Sequence, residues 1–137
     1  MNRYLLDTNI LGYLFGDVDC LSPKVYDILN DVESLLYTNT ICVGELIHLV
    51  KTKKLFNRGN PIDVLSLLER HSILILPMTK NDFKVYAHLD TSQDTNKDPN
   101  DHQIIAQSIS TRIPLVSSDR KFAPYDKQGL NFIFNER

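Results

Sequence analysis

At 137 residues, 42% of them hydrophobic and 23% charged, the chain has the size and composition of one globular domain, read here as spanning residues 1–137. Its two cysteines, Cys20 and Cys42, exclude a disulfide framework, and no CxxC pair is present; Cys42 lies in an apolar stretch and reads as a small buried hydrophobe. A net charge of −2 excludes a broad basic surface for tight nonspecific binding to nucleic acid, but not a site that meets nucleic acid through bound metal ions.

The N-terminal run Arg3 to Leu6 has strand length, and Asp7 interrupts it before it could act as a signal-peptide core. Ile10 to Phe15 predicts a helix. Ser22-Pro23 opens a second one, with Val25, Ile28, Leu29 and Val32 on one face. Leu35-Leu36-Tyr37 is the second strand, and Thr40 is the expected cap of a helix carrying Val43, Leu46, Ile47 and Val50. Pro61 to Arg70 predicts a further helix with Val64, Leu67 and Leu68 inward, and Ser72 to Leu76 a buried third strand. Thr79 opens a helix to about Leu89, and the polar stretch Thr91 to Lys97 is a loop. Asp98-Pro99 starts a helix containing Ile104, Ile105, Ser108 and Ile109. Leu115 to Ser118 and Leu130 to Phe134 are the fourth and fifth strands. Strands separated by helices imply parallel crossovers, hence an α/β class and a three-layer α/β/α sandwich around a mainly parallel sheet. The run Ile73 to Leu76 is far too short to span a bilayer, so a soluble, cytoplasmic protein without membrane contact is expected.

In such sheets ligands bind beyond the carboxyl ends of the strands. Asp7 follows the first strand and Asp119 the fourth, which puts both carboxylates at one edge; alone, each would read as a turn or helix-cap residue. Glu45 borders the apolar stripe of its helix, where a carboxylate loses hydration unless something pairs with it. A nearby Lys or Arg and a metal ion are both open as that partner. In Asp98-Pro99-Asn100-Asp101, Pro99 at the first helical position makes Asp98 the N-cap and Asp101 the third helical residue. Asp101 is therefore the reactive carboxylate, and Asp98 the cap or a group behind the site. Carboxylates that converge repel one another and need a cation, and oxygen-only ligands favour Mg²⁺ or Mn²⁺ over zinc. His48, His71, His88 and His102 show no metal-ligand spacing; only His102 stands beside an acid of the cluster. Lys51, Lys53, Lys54 and Arg58 form a basic segment that reads as a solvated helix end or as a contact for flanking phosphates.

Four motifs in this order resemble the PIN-domain nucleases, and in particular the VapC-like toxins of bacterial type II toxin–antitoxin pairs. They are Leu5-Leu6-Asp7-Thr8-Asn9-Ile10-Leu11, then Val43-Gly44-Glu45-Leu46, then Asp98 to Gln107, then Leu115-Val116-Ser117-Ser118-Asp119-Arg120-Lys121-Phe122. The resemblance implies a PIN-like fold and metal-dependent endoribonuclease activity on RNA, with Mg²⁺ or Mn²⁺ as cofactor. It also implies a cognate antitoxin protein as partner and a homodimer. The acidic quartet carried over falls on Asp7, Glu45, Asp101 and Asp119 as catalytic and metal-holding residues. Thr8, Asn9, Asp98, Ser117 and Ser118 surround them, with Ser117 or Ser118 as the small hydroxyl residue before the last acid. The chain departs from many relatives in having Asn100 and His102 where an aromatic and a basic residue flank the third acid. A PIN-like domain that only binds RNA or protein would be expected to lack an acid, and all four are present. A phosphatase of the haloacid dehalogenase type would need a second Asp two residues after Asp7, where Asn9 stands.

Overall fold

A computed structural model describes residues 2–55 and 59–137; the expected contribution of Arg58 to the basic segment lies outside them. Five strands, β1 (Asn2–Leu6), β2 (Ser34–Asn39), β3 (Ile73–Leu76), β4 (Leu115–Ser117) and β5 (Phe132–Phe134), form one sheet in the order β3-β2-β1-β4-β5. Every pairing is parallel, with Leu5 beside Leu115 and Leu6 beside Val116 at the centre. The helices are α1 (Thr8–Gly16), α2 (Pro23–Asn30), α3 (Thr40–Lys51), α4 (Asp63–Arg70), α5 (Lys80–His88) and α6 (Pro99–Thr111). Helices α1, α3 and α4 pack together, and α5 packs on α6, which also meets a 3₁₀ segment over Arg120–Gln128. Right-handed crossovers place those two groups on opposite faces, because the chain moves one way from β1 to β3 and the other way from β3 to β4. The result is the expected α/β/α sandwich, and no described helix is long and apolar enough to cross a membrane.

The core lies between sheet and helices: Leu5, Leu6, Ile10, Leu46, Ile104, Ile105 and Leu115 are fully enclosed. Parallel strands covered on both faces read as continuous apolar runs rather than alternating ones, which is why the short run before Asp7 is legible as a strand. Two expectations about burial fail. Val32 lies beyond α2, which ends at Asn30, and is 89% exposed. The third strand is an edge: Ile73 is buried, but Leu74 and Ile75 are exposed, because only β2 pairs with it.

The helix starts show local chemistry that sets the site. Asn39, not Thr40, caps α3: its Oδ1 accepts from the Cys42 N–H at 2.8 Å while its backbone is extended. Asn39 is fully buried, and its amide Nδ2 also donates to Gln107 Oε1 at 2.9 Å, so one side chain joins the end of β2, the start of α3 and the middle of α6. Thr79 and Asp82 close a reciprocal capping box on α5. Near the C-terminus, buried Asn135 accepts from the Ser22 N–H at 2.7 Å through its side chain. Its Nδ2 donates to the Cys20 carbonyl and to Ser118 Oγ, and its backbone N–H donates to the Ser117 carbonyl. That residue therefore ties β4 and β5 to the segment leading into α2.

Replacing the α3 cap tests this placement. Asn39→Ala should cost about 1–3 kcal/mol, since it removes a helix cap and leaves the buried Gln107 carbonyl without its donor. Urea unfolding of both proteins measures it; a change within error would mean that α3 does not depend on Asn39.

Candidate active site

The strand order reverses direction between β1 and β4, and the crevice beyond their carboxyl ends is where an open α/β sheet binds its ligand. A cleft of about 380 Å³ opens there. Asp7, Glu45, Asp101 and Asp119 all line it, brought from the end of β1, the middle of α3, the first turn of α6 and the end of β4. Thr8, Asn9, Gly12 and Tyr13 of α1 complete the wall, with Leu49, Leu55 and Asp17. Asp17 is a fifth carboxylate that the sequence reading missed; it follows α1 in a segment without a motif to mark it.

Asp7 is the most enclosed of the acids, 6% exposed. It caps α1 by accepting from the Thr8 N–H at 2.8 Å. Its other oxygen accepts from Ser117 Oγ at 2.6 Å and from Asn9 Nδ2 at 3.3 Å. The Cys42 thiol lies 3.8 Å from it as a weak donor. Burial, with Asp7's charge adding to it, pushes that thiol well above its usual range, so it stays neutral. Burial likewise pushes the Asp7 carboxyl up to about 6; Ser117 and the Thr8 N–H hold it down, while the charges of Asp101 and Asp119 add to the rise.

Glu45 is half-buried, and Thr8 Oγ1 donates to its Oε1 at 2.9 Å. Its carboxyl is raised by burial first, with the charges of Asp7, Asp101 and Asp98 adding, against the Thr8 bond. Asp101 is raised by burial and by Asp98 and Asp119, against the hydrogen bond from Asn96. Asp119 accepts from the Lys121 N–H at 3.0 Å, and its own N–H donates to Ser117 Oγ at 3.1 Å. Among the described residues no Lys or Arg pairs with any of these acids; the one close contact between a basic and an acidic side chain is His102 with Asp94.

The surrounding residues divide by contact. Ser117 touches both Asp7 and the Asp119 backbone, while Ser118 Oγ turns to Asn135, and its N–H donates to Asn9 Oδ1. Asp98 caps α6 through the Asn100 N–H at 2.9 Å and does not line the cleft. His102 faces away from the acids, into Asp94 and Tyr125. Lys51, Lys53 and Lys54 are exposed at the end of α3 and do not line the cleft.

The donor set suits a hard divalent cation: all oxygens, all carboxylate, partly desolvated and, among the described residues, without a Lys or Arg partner. Among the described residues no three His, Cys, Asp or Glu side chains already converge closely enough to hold an ion.

The PIN domain family matches the chain over residues 4–128. No curated protein matches it. Among solved structures, a chain of VapBC2 from Rickettsia felis, bound to a DNA fragment from its promoter, is 22% identical at a TM-score of 0.70, with 98% of each chain covered. A chain of VapBC-1 from nontypeable Haemophilus influenzae is 21% identical at 0.71, over 96% of this chain and 97% of that one. VapC20 of Mycobacterium tuberculosis, described as a sarcin-ricin loop cleaving toxin, is 12% identical at 0.64, over 88% of this chain and 93% of that one.

The raised Asp7 carboxyl sets the sign of a pH effect on the metal-free protein. A group whose carboxyl is raised on folding binds its proton more tightly in the folded state. Its favourable contribution is full below the ordinary value of 3.8 and is lost as pH rises through about 6. Unfolding free energy in EDTA should therefore fall between pH 4 and 7, with a contribution from Asp7 on the order of 3 kcal/mol. Asp7→Asn should lack that part, so its stability relative to the parent should rise across the same window. Urea unfolding at several pH values checks this, and a constant difference would place the charge elsewhere.

Proposed function

The chain belongs to the PIN domain family, and from that membership we propose that it is a metal-dependent endoribonuclease, a VapC-like toxin that hydrolyses RNA phosphodiester bonds. The observation that carries this reading is the meeting of four carboxylates from four separate sequence segments in one cleft at the switch point of the sheet. A surface of solvated acids would be neither desolvated nor without basic partners; Asp7 is desolvated, and among the described residues no Lys or Arg pairs with the four. The whole chain acts as one nuclease domain in this reading.

Asp7, Glu45, Asp101 and Asp119 would hold Mg²⁺ or Mn²⁺. When bound, such an ion supplies Lewis-acid polarisation of a phosphoryl oxygen and of the attacking water. The protein's own part is positional. Ser117 fixes one Asp7 oxygen and, through the Asp119 N–H, the start of the segment that carries Asp119. Thr8 fixes Glu45 from the first turn of α1. Asn9 joins Ser117 and Asp7 to the Ser118 backbone, so the ends of β1 and β4 keep one relative position. The hydrogen bonds that Ser117 and Thr8 donate to Asp7 and Glu45 act against burial and favour the ionised form that a cation requires.

A cognate antitoxin belongs to this reading, because an uninhibited ribonuclease would damage its own cell. A partner that covers the cleft must neutralise its acids, so a short segment with an Arg or Lys directed at them and an apolar anchor fits best. The chain is read as a homodimer acting in the cytoplasm.

The primary test is cleavage of a mixed RNA pool by the purified chain. Activity should need Mg²⁺ or Mn²⁺ and vanish in EDTA, and Asp7→Asn should reduce it to background while the protein stays folded by circular dichroism. Full activity in EDTA would overturn the metal mechanism.

The two acids at the start of α6 separate stability from activity. Asp98→Ala should cost about 0.5–2 kcal/mol of stability and keep substantial cleavage, as a lost cap does. Asp101→Ala should abolish cleavage without loss of stability in EDTA, because it relieves repulsion. Paired unfolding and kinetic measurements decide it; the opposite pattern would exchange the roles of the two residues.

A further inference from the structure

The acid cleft has a support on its far side that belongs to the polar loop before α6. Asn96 Nδ2 donates to Asp101 Oδ2 at 2.7 Å, a short bond of the charge-assisted kind. Asn96 does not line the cleft and meets Asp101 from the loop between α5 and α6. The orientation of its amide follows from its other contact: Oδ1 accepts from the Asp98 N–H at 3.0 Å. A reversed amide would set its oxygen against the Asp101 carboxylate and its NH₂ against a backbone donor, two repulsive contacts in place of two bonds.

Asn96 is itself held. Its backbone N–H donates to Asp94 Oδ1 at 2.8 Å. Asp94 Oδ2 accepts from the Tyr125 hydroxyl at 2.6 Å and from His102 Nε2 at 3.0 Å, with the Asp94 and His102 side chains 11% and 7% exposed. The support thus runs from the 3₁₀ segment after β4, through Asp94 and Asn96, to Asp101.

From these contacts we infer that Asn96 is a positioning residue for Asp101: its amide fixes one carboxylate oxygen and aims the other into the cleft for the ion. Among the described residues Oδ2 is the Asp101 oxygen that accepts a hydrogen bond, which leaves Oδ1 for a ligand. A neutral amide suits this task. It orients the carboxylate without adding a positive charge that would compete with a cation, as Lys or Arg would. Groups of this kind behind a metal ligand change affinity by roughly ten- to a hundred-fold when removed. The inference rests on the metal-dependent reading above, and its test separates the two.

Bind Mn²⁺ to the metal-free full chain and follow free ion by electron paramagnetic resonance. Compare the parent with Asn96→Ala, Asp101→Asn and, as a loop control, Thr95→Ala. Asn96→Ala should weaken Mn²⁺ binding roughly ten- to a hundred-fold, and Thr95→Ala should leave it unchanged. In the unaltered chain, the Asn96 side-chain amide signals in a ¹H–¹⁵N spectrum should shift on addition of Mg²⁺, and should not do so in Asp101→Asn; this arm needs no change at position 96. If Asp101→Asn weakens Mn²⁺ binding while Asn96→Ala matches the parent, or if the Asn96 signals ignore Mg²⁺, the inference is wrong and the metal site stands. If the parent binds no Mn²⁺, or Asp101→Asn binds it as the parent does, the metal-dependent reading fails and takes this inference with it.

Discussion

The structure is organised around a charge that is difficult to keep. Asp7 stands at the end of the central strand, 6% exposed, beside two further carboxylates that raise its cost of ionising. A carboxylate removed from water needs donors or a cation. The chain supplies the donors from several directions: the first turn of α1, Asn9, and Ser117 from the adjacent strand. Each of those contacts also joins two elements. The same bonds that make Asp7 tolerable hold the carboxyl ends of β1 and β4 together, and they leave a negative cleft that no described basic side chain neutralises.

The fold was legible because its signals are local and repeated. Short apolar runs alternate with helical patterns, and the crossover rule turns that alternation into a parallel sheet without any long-range information. The failures are long-range in origin. The run Ile73 to Leu76 has the composition of a central strand, and what makes it an edge is the absence of a neighbour beyond it, which composition cannot report. Val32 fits the helical spacing of α2, but the helix ends at Asn30, so the residue stays in solvent. Asn39 and Thr40 are both competent caps, and the choice fell to the one whose amide could also serve Gln107.

The site was legible where chemistry and position coincide. Asp7 and Asp119 end strands, Glu45 interrupts an apolar stripe, and Pro99 separates a capping acid from one turned inward; these four acids do line one cleft. The residues that went unread carry no such mark. Asp17 follows a helix in an ordinary turn, and Asn96 sits in a polar stretch where any of several residues could have been the one that reaches Asp101. Ser117 and Ser118 were equivalent in sequence. The structure separates them: Ser117 ends β4 and bonds Asp7, while Ser118, already past the strand, bonds Asn135.

Asn135 has a bearing on how the chain is made. It reaches back to Ser22 and Cys20 and grips both residues that precede Asp119, so the end of β4 has its full set of partners only when Asn135 is present. The four acids are spread from position 7 to position 119, so only a segment that spans both ends can bring them together. During vectorial synthesis on a ribosome, an emerging N-terminal portion carries Asp7 and Glu45 without Asp101, Asp119 or the clamp. The acidic cleft can therefore form only after the segment carrying Asp119 has been made, and its clamp only after Asn135.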